Sequence, residues 1–93
     1  MARDSRFLTV TQNGDATDGM LIGPPFNLLS ISVGGTFTAT IALQRSFDRG
    51  ATYETIESYT APVAKNMEVA ENQFVRLACT AYTIGSPTLR LGY

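Results

Sequence analysis

Residues 36–60 read TFTATIALQRSFDRGATYETIESYT, and their alternation decides the fold class. From Thr36 to Phe47, one side of an extended chain carries Phe37, Ala39, Ile41 and Leu43, and the other carries Thr36, Thr38, Thr40, Ala42 and Gln44. That two-residue period belongs to a half-buried β-strand. Thr52 to Thr60 repeats the β-branched and aromatic enrichment, and Asp48-Arg49-Gly50-Ala51 between them has turn chemistry. Asp48 offers acceptors to backbone N–H groups inside the loop, and Gly50 takes positive φ at little cost. A four-residue loop sets Leu43 opposite Ile56 and Arg45 opposite Glu54, an aliphatic pair followed by an ion pair on one face. Ser46, Asp48, Gly50, Thr52 and Tyr53 therefore read as a structural turn.

Working outward, the same period recurs with short interruptions. Arg6 to Gln12 alternates Leu8 and Val10 with Phe7, Thr9 and Thr11, and Asn13-Gly14-Asp15 ends it. Gly19 to Ile22 is a short apolar piece closed by Gly23-Pro24-Pro25, where the prolines force non-ladder backbone and let the chain change sheets. Phe26 to Val33 resumes as a strand. A two-residue Gly34-Gly35 hairpin would set Ile31 among threonines. Either a bulged three-residue Val33-Gly34-Gly35 loop pairs Ile31 with Phe37, or the two strands lie in different sheets. Downstream come Val63 to Val69, an Ala70-Glu71-Asn72 turn, Gln73 to Thr83 with Val75, Leu77, Cys79 and Ala81 on one face, and Gly85-Ser86-Pro87. Thr88 to Tyr93 ends the chain with Leu89, Leu91 and Tyr93 on one side. Seven or eight short strands without a helix pattern predict an all-β, compact two-sheet antiparallel β-sandwich of jelly-roll or immunoglobulin-like kind. The expected organisation is a single domain over residues 1–93 with a short N-terminal arm, residues 1–6.

The totals bound the function. A chain of 93 residues buries only about 60 to 65% of its unfolded surface, so the core is thin. Its apolar runs are far shorter than the roughly 18 residues of a spanning helix, and MARDSRF has no apolar stretch behind its basic residues, so neither a membrane nor a usual secretion signal is expected. A lone Cys79 excludes an intrachain disulfide and fits a small buried strand residue in a reducing compartment. Net charge is −1, without the positive field that nucleic acid requires. With no histidine and one cysteine, Ser/His and Cys/His pairs, a histidine base and a Cys/His zinc site are closed off. No catalytic residue, cofactor or metal is expected.

Four smaller signals remain. S-x-D-x-G-x-T at Ser46 to Thr52 resembles the Asp-box of sialidases, but one copy in a short chain leaves no propeller, so the turn reading stands. Asp15 and Asp18 in NGDATDG lack the alternating carboxylates and bidentate glutamate of a calcium loop. The row Thr36, Thr38, Thr40 has only Thr9 and Thr11 as a second row and reads as solvent-facing strand threonines. Six of the seven basic residues are arginine, the cation enriched at protein interfaces. Arg3, Asp4 and Arg6 form an arm that either docks on a neighbour or frays.

Gly35 to Glu57 and Phe74 to Tyr93 together resemble a recurrent type of small virion protein of tailed bacteriophages. The matching residues are Gly35, Thr36, Phe37, Leu43, Gln44, Arg45, Ser46, Phe47, Asp48, Gly50, Thr52 and Tyr53, then Leu77, Tyr82, Gly85, Arg90 and Leu91. Arg49 departs from the pattern, where a second glycine is common. The resemblance implies a virion structural protein made in the host bacterial cytoplasm, a capsid decoration or cement protein that binds the major capsid protein and neighbouring copies of itself, with a trimer at threefold positions. A neck, tail or head-fibre component is the alternative within that class, and a carbohydrate-binding module on the virion surface the alternative from another.

Overall fold

The computed structural model describes residues 4–24, 28–69 and 71–93. Among them are eight strands: β1 (Ser5–Thr9), β2 (Met20–Ile22), β3 (Leu28–Gly34), β4 (Phe37–Ser46), β5 (Glu54–Tyr59), β6 (Val63–Glu68), β7 (Gln73–Gly85) and β8 (Thr88–Gly92). They form two four-stranded antiparallel sheets, β1-β8-β3-β6 and β2-β7-β4-β5. The pairs 1/8, 2/7, 3/6 and 4/5 nest inside one another and alternate between the sheets, which is the winding of a jelly roll. Of the two sandwich types the sequence left open, the strand order selects this one. Only β4 and β5 are consecutive and paired; every other connection between described strands crosses from one sheet to the other.

Leu29, Ile31 and Val33 of β3 and Ile41 and Leu43 of β4 are all buried. These strands stand in opposite layers, so the Gly34-Gly35 link is a crossing and not the three-residue hairpin. The prolines after β2 likewise precede a change of sheet, although Pro25, Phe26 and Asn27 lie outside the described residues, as does Ala70 of the expected 70–72 turn. Met20, Leu77, Leu89 and Leu91 complete a core in which each such side chain, fully shielded, contributes about 1.5–3 kcal/mol.

Three bulges change which residues face that core. Between β4 and β5, Gln44 pairs with Thr55 and Leu43 with Glu57, so Ile56 is left over and 40% exposed. The Arg45–Glu54 register is the expected one, but Leu43 meets Glu57 rather than Ile56, and Glu57 and Tyr59 turn inward. In β7, Thr80 and Thr83 have no partner in β4. Each extra residue reverses side-chain parity. Ala81 therefore faces solvent, and Tyr82 packs against the core, the opposite of the simple alternation.

The N-terminal segment is also different from the expectation. Ser5 to Thr9 is hydrogen-bonded to β8 with Arg6 opposite Leu91, so Asp4 and Arg6 are not part of a free arm. Arg3 lies outside the described residues.

Candidate functional site

The β4–β5 connection is built around two side chains. Ser46, 2% exposed, accepts from the Gly50 N–H at 2.8 Å and the Asp48 N–H at 3.3 Å, and donates its own proton to the Asp48 carboxylate. Asp48 also accepts from the Thr52 N–H at 2.9 Å and from the Thr52 hydroxyl. The Ala51 N–H returns to the Asp48 carbonyl across Arg49 and Gly50, both at positive φ (61° and 89°). Two successive positive φ values define a primed turn, whose twist matches the flanking strands. Arg49 occupies a conformation that a glycine or asparagine adopts more cheaply.

These bonds set the chemistry. Hydrogen bonds from Ser46 and Thr52 hold the Asp48 carboxyl down at about 2, below its usual 3.8. So acidic a group is a poor proton acceptor at neutral pH and carries no proton to donate, and three of its roughly four acceptor positions are taken up by the loop. Thus Ser46, Asp48, Gly50 and Thr52 meet in one clasp. Tyr53 leaves it and lies across the outer face of the β2-β7-β4-β5 sheet. The Arg76 guanidinium stacks over its ring at 3.9 Å, and Arg76 Nε donates to Gln44 Oε1 at 2.8 Å. Gln44 reaches Thr55 at 3.3 Å. A side chain at Gly19 would collide with the Tyr53 hydroxyl, so the hairpin tip seats against the segment entering β2.

Sequence reasoning missed Arg76 and Gly19 as partners of Tyr53. The signal for Arg76 was parity: once Arg45 pairs with Glu54, Gln44 faces outward, and its neighbour on β7 is Arg76. It also missed a cluster between the layers, where inward-facing Lys65 of β6 and Glu57 of β5 meet at 2.8 Å and the Tyr59 hydroxyl donates to the same Glu57 oxygen at 2.7 Å. The Lys65 and Tyr59 hydrogen bonds lower the Glu57 carboxyl, while burial and the Glu57 bond push the Tyr59 hydroxyl up. The bulge at Ile56 that brings this pair together leaves no trace in the alternation.

Arg6 bonds to Asp4 and to the Ser5 carbonyl, and reaches the Gly19 carbonyl at 3.4 Å, bridging toward the other sheet. Asp15 accepts from the Thr11 and Gln12 N–H groups, so its carboxylate caps a turn that runs beside β7; Asp18 is exposed. Among the described residues no group of three or more His, Cys, Asp or Glu is placed to hold a metal. Cys79 is buried, and that burial raises its thiol pKa. Thr9 stands on one sheet and Thr38 and Thr40 on the other, so the two threonine rows are not neighbours.

The outer face of β1-β8-β3-β6 differs in character. Ser5, Gly92, Ser30 and Asn66 align across its four strands, and the next row is Phe7, Arg90, Ser32 and Ala64. A shallow hollow of about 560 Å³ lies over Ser5, Gly92, Ser30 and Ser32. Comparison with protein families, curated proteins and solved structures gives no match for this chain.

Proposed function

We propose that the protein is a non-enzymatic structural component of a tailed-bacteriophage particle, a decoration or cement protein that binds the major capsid protein shell. The observation that supports this reading is where the residues of the virion resemblance fall: they are the joints of the sandwich. Ser46, Asp48, Gly50 and Thr52 form the clasp of its one local hairpin. The two separated halves of the pattern also meet, because Gly85, at φ 103°, leaves no room for a side chain beside the Thr36 carbonyl and Phe37. The Tyr82 hydroxyl donates to the Gly85 carbonyl at 2.5 Å and fixes that same corner. A pattern spent on joints belongs to a protein whose product is a shaped surface.

The carbohydrate-binding alternative needs aromatic rings exposed side by side. Tyr59, Tyr82 and Tyr93 pack against the core, and Tyr53 is covered on one face by Arg76. Many weak sites repeated over a shell add through avidity, so purified protein is expected to co-sediment with DNA-free shells of the virus that encodes it and to raise the temperature at which they disrupt. Shells that neither bind it nor gain stability would contradict the reading.

A further inference from the structure

We propose that the outer face of the β1-β8-β3-β6 sheet is the contact surface for a second copy of this chain, forming a two-fold symmetric dimer. The proposal stands apart from the virion reading. An isologous interface must be self-complementary, each residue meeting a partner under one rotation. On this face Phe7 is 67% exposed and Leu28 54% exposed. Arg90 and Glu68 are exposed as well, and neither makes an ion pair among the described residues.

The register relates these four by a single step. Phe7 lies two strands and two rows from Leu28, with Gly92 midway. Arg90 is separated from Glu68 by the same two strands and two rows, with Ser30 midway. A two-fold axis lying in the interface at right angles to that step, and passing between Gly92 and Ser30, therefore sets Phe7 within side-chain reach of the second copy's Leu28 and Arg90 within reach of its Glu68, and the symmetry repeats both contacts. The low residues at the axis leave the hollow into which the taller side chains reach. The step is oblique to the strands, so the two sheets cross nearer the orthogonal than the aligned packing class.

A different partner would have to supply both complements independently; a second copy already carries them. The other route to self-association, pairing of strand edges, is obstructed. Edge strands β1, β5 and β6 turn Arg6, Glu57 and Lys65 inward, and β2 is three residues long, all devices that oppose edge pairing. The broad dimensions of the molecule, 38 × 25 Å, accommodate the roughly 800 Å² per partner of a standard interface.

Sedimentation velocity of the purified chain over a wide concentration range tests this. The expected result is a monomer–dimer equilibrium. Arg90→Glu and Glu68→Arg should each weaken it by on the order of tenfold or more, while the two together restore it, and Phe7→Ser should give monomer, with a thermal melt unchanged at concentrations where the native chain is itself monomeric. A chain monomeric at every concentration, a trimer, or a dimer indifferent to all of these substitutions would overturn the proposal; recovery in the charge-swapped double variant separates contact from misfolding.

Discussion

The two outer faces of the sandwich have the same architecture and opposite commitments. On the β2-β7-β4-β5 face, Arg76 is engaged by Tyr53 and Gln44 and Gln44 by Thr55, the segment around Ala16 bridges to the edge of β7 at Ala78, and Leu21 and Ile84 are exposed. On the β1-β8-β3-β6 face, Phe7, Leu28, Arg90 and Glu68 stand exposed around a floor of serine and glycine. The first face uses its polar side chains to lock one hairpin against the sheet; the polar side chains Arg90 and Glu68 of the second make no such bond. The difference teaches that the conspicuous motif, SFDRGATY, marks where the molecule is held together, and that Arg90 and Glu68, which make no ion pair among the described residues, lie on the face without it.

Substitutions sharpen or break this contrast. Ser46→Ala removes a buried acceptor of two N–H groups and the donor to Asp48, and is expected to cost about 2 kcal/mol in chemical denaturation; an unchanged midpoint would mean that the clasp is decorative. The same clasp carries an acid signature. A folded-state pKa near 2 for Asp48 supplies stability that is complete above the unfolded value of about 3.9 and is lost as pH falls through the folded one. Stability should therefore decline between about pH 4 and pH 2, and Asp48→Asn should flatten that decline in a pH series of melts, without abolishing it because Asp4, Asp15 and Glu57 are also lowered.

Arg76→Ala, which removes the stack on Tyr53 and the Gln44 bond, should cost about 1 kcal/mol. Arg49→Asn relieves a positive φ and should raise stability by up to about 1 kcal/mol. Smallest of all, Arg90→Ala on the opposite face should stay within about 0.5 kcal/mol when measured at concentrations where the chain is monomeric. Equal effects for Arg76 and Arg90 would erase the distinction between the faces.

The fold class was legible because strand alternation is local: Ile41, Leu43, Leu89 and Leu91 point inward as their spacing requires. The hairpin was legible for the same reason, since β4 and β5 alone among the described strands are chain neighbours that pair. The jelly-roll order was not, because β1 with β8 and β2 with β7 join residues from opposite ends of the sequence, and nothing in either segment names its partner. Bulges hid the rest. Thr80, Thr83 and Ile56 look like ordinary strand residues, yet each reverses the faces beyond it, which is how Tyr82 and Glu57 came to lie inward. Arg6 read as an arm because a single charge near a terminus resembles fraying; Leu91, some 85 residues away, is what orders it.

The proposed role is that of a shaped surface supplied to a phage particle. Counting its copies in purified DNA-free heads by quantitative mass spectrometry addresses that most directly. A copy number comparable with that of the major capsid protein is the predicted result; absence from heads, or the few copies of a neck or tail ring, would contradict it.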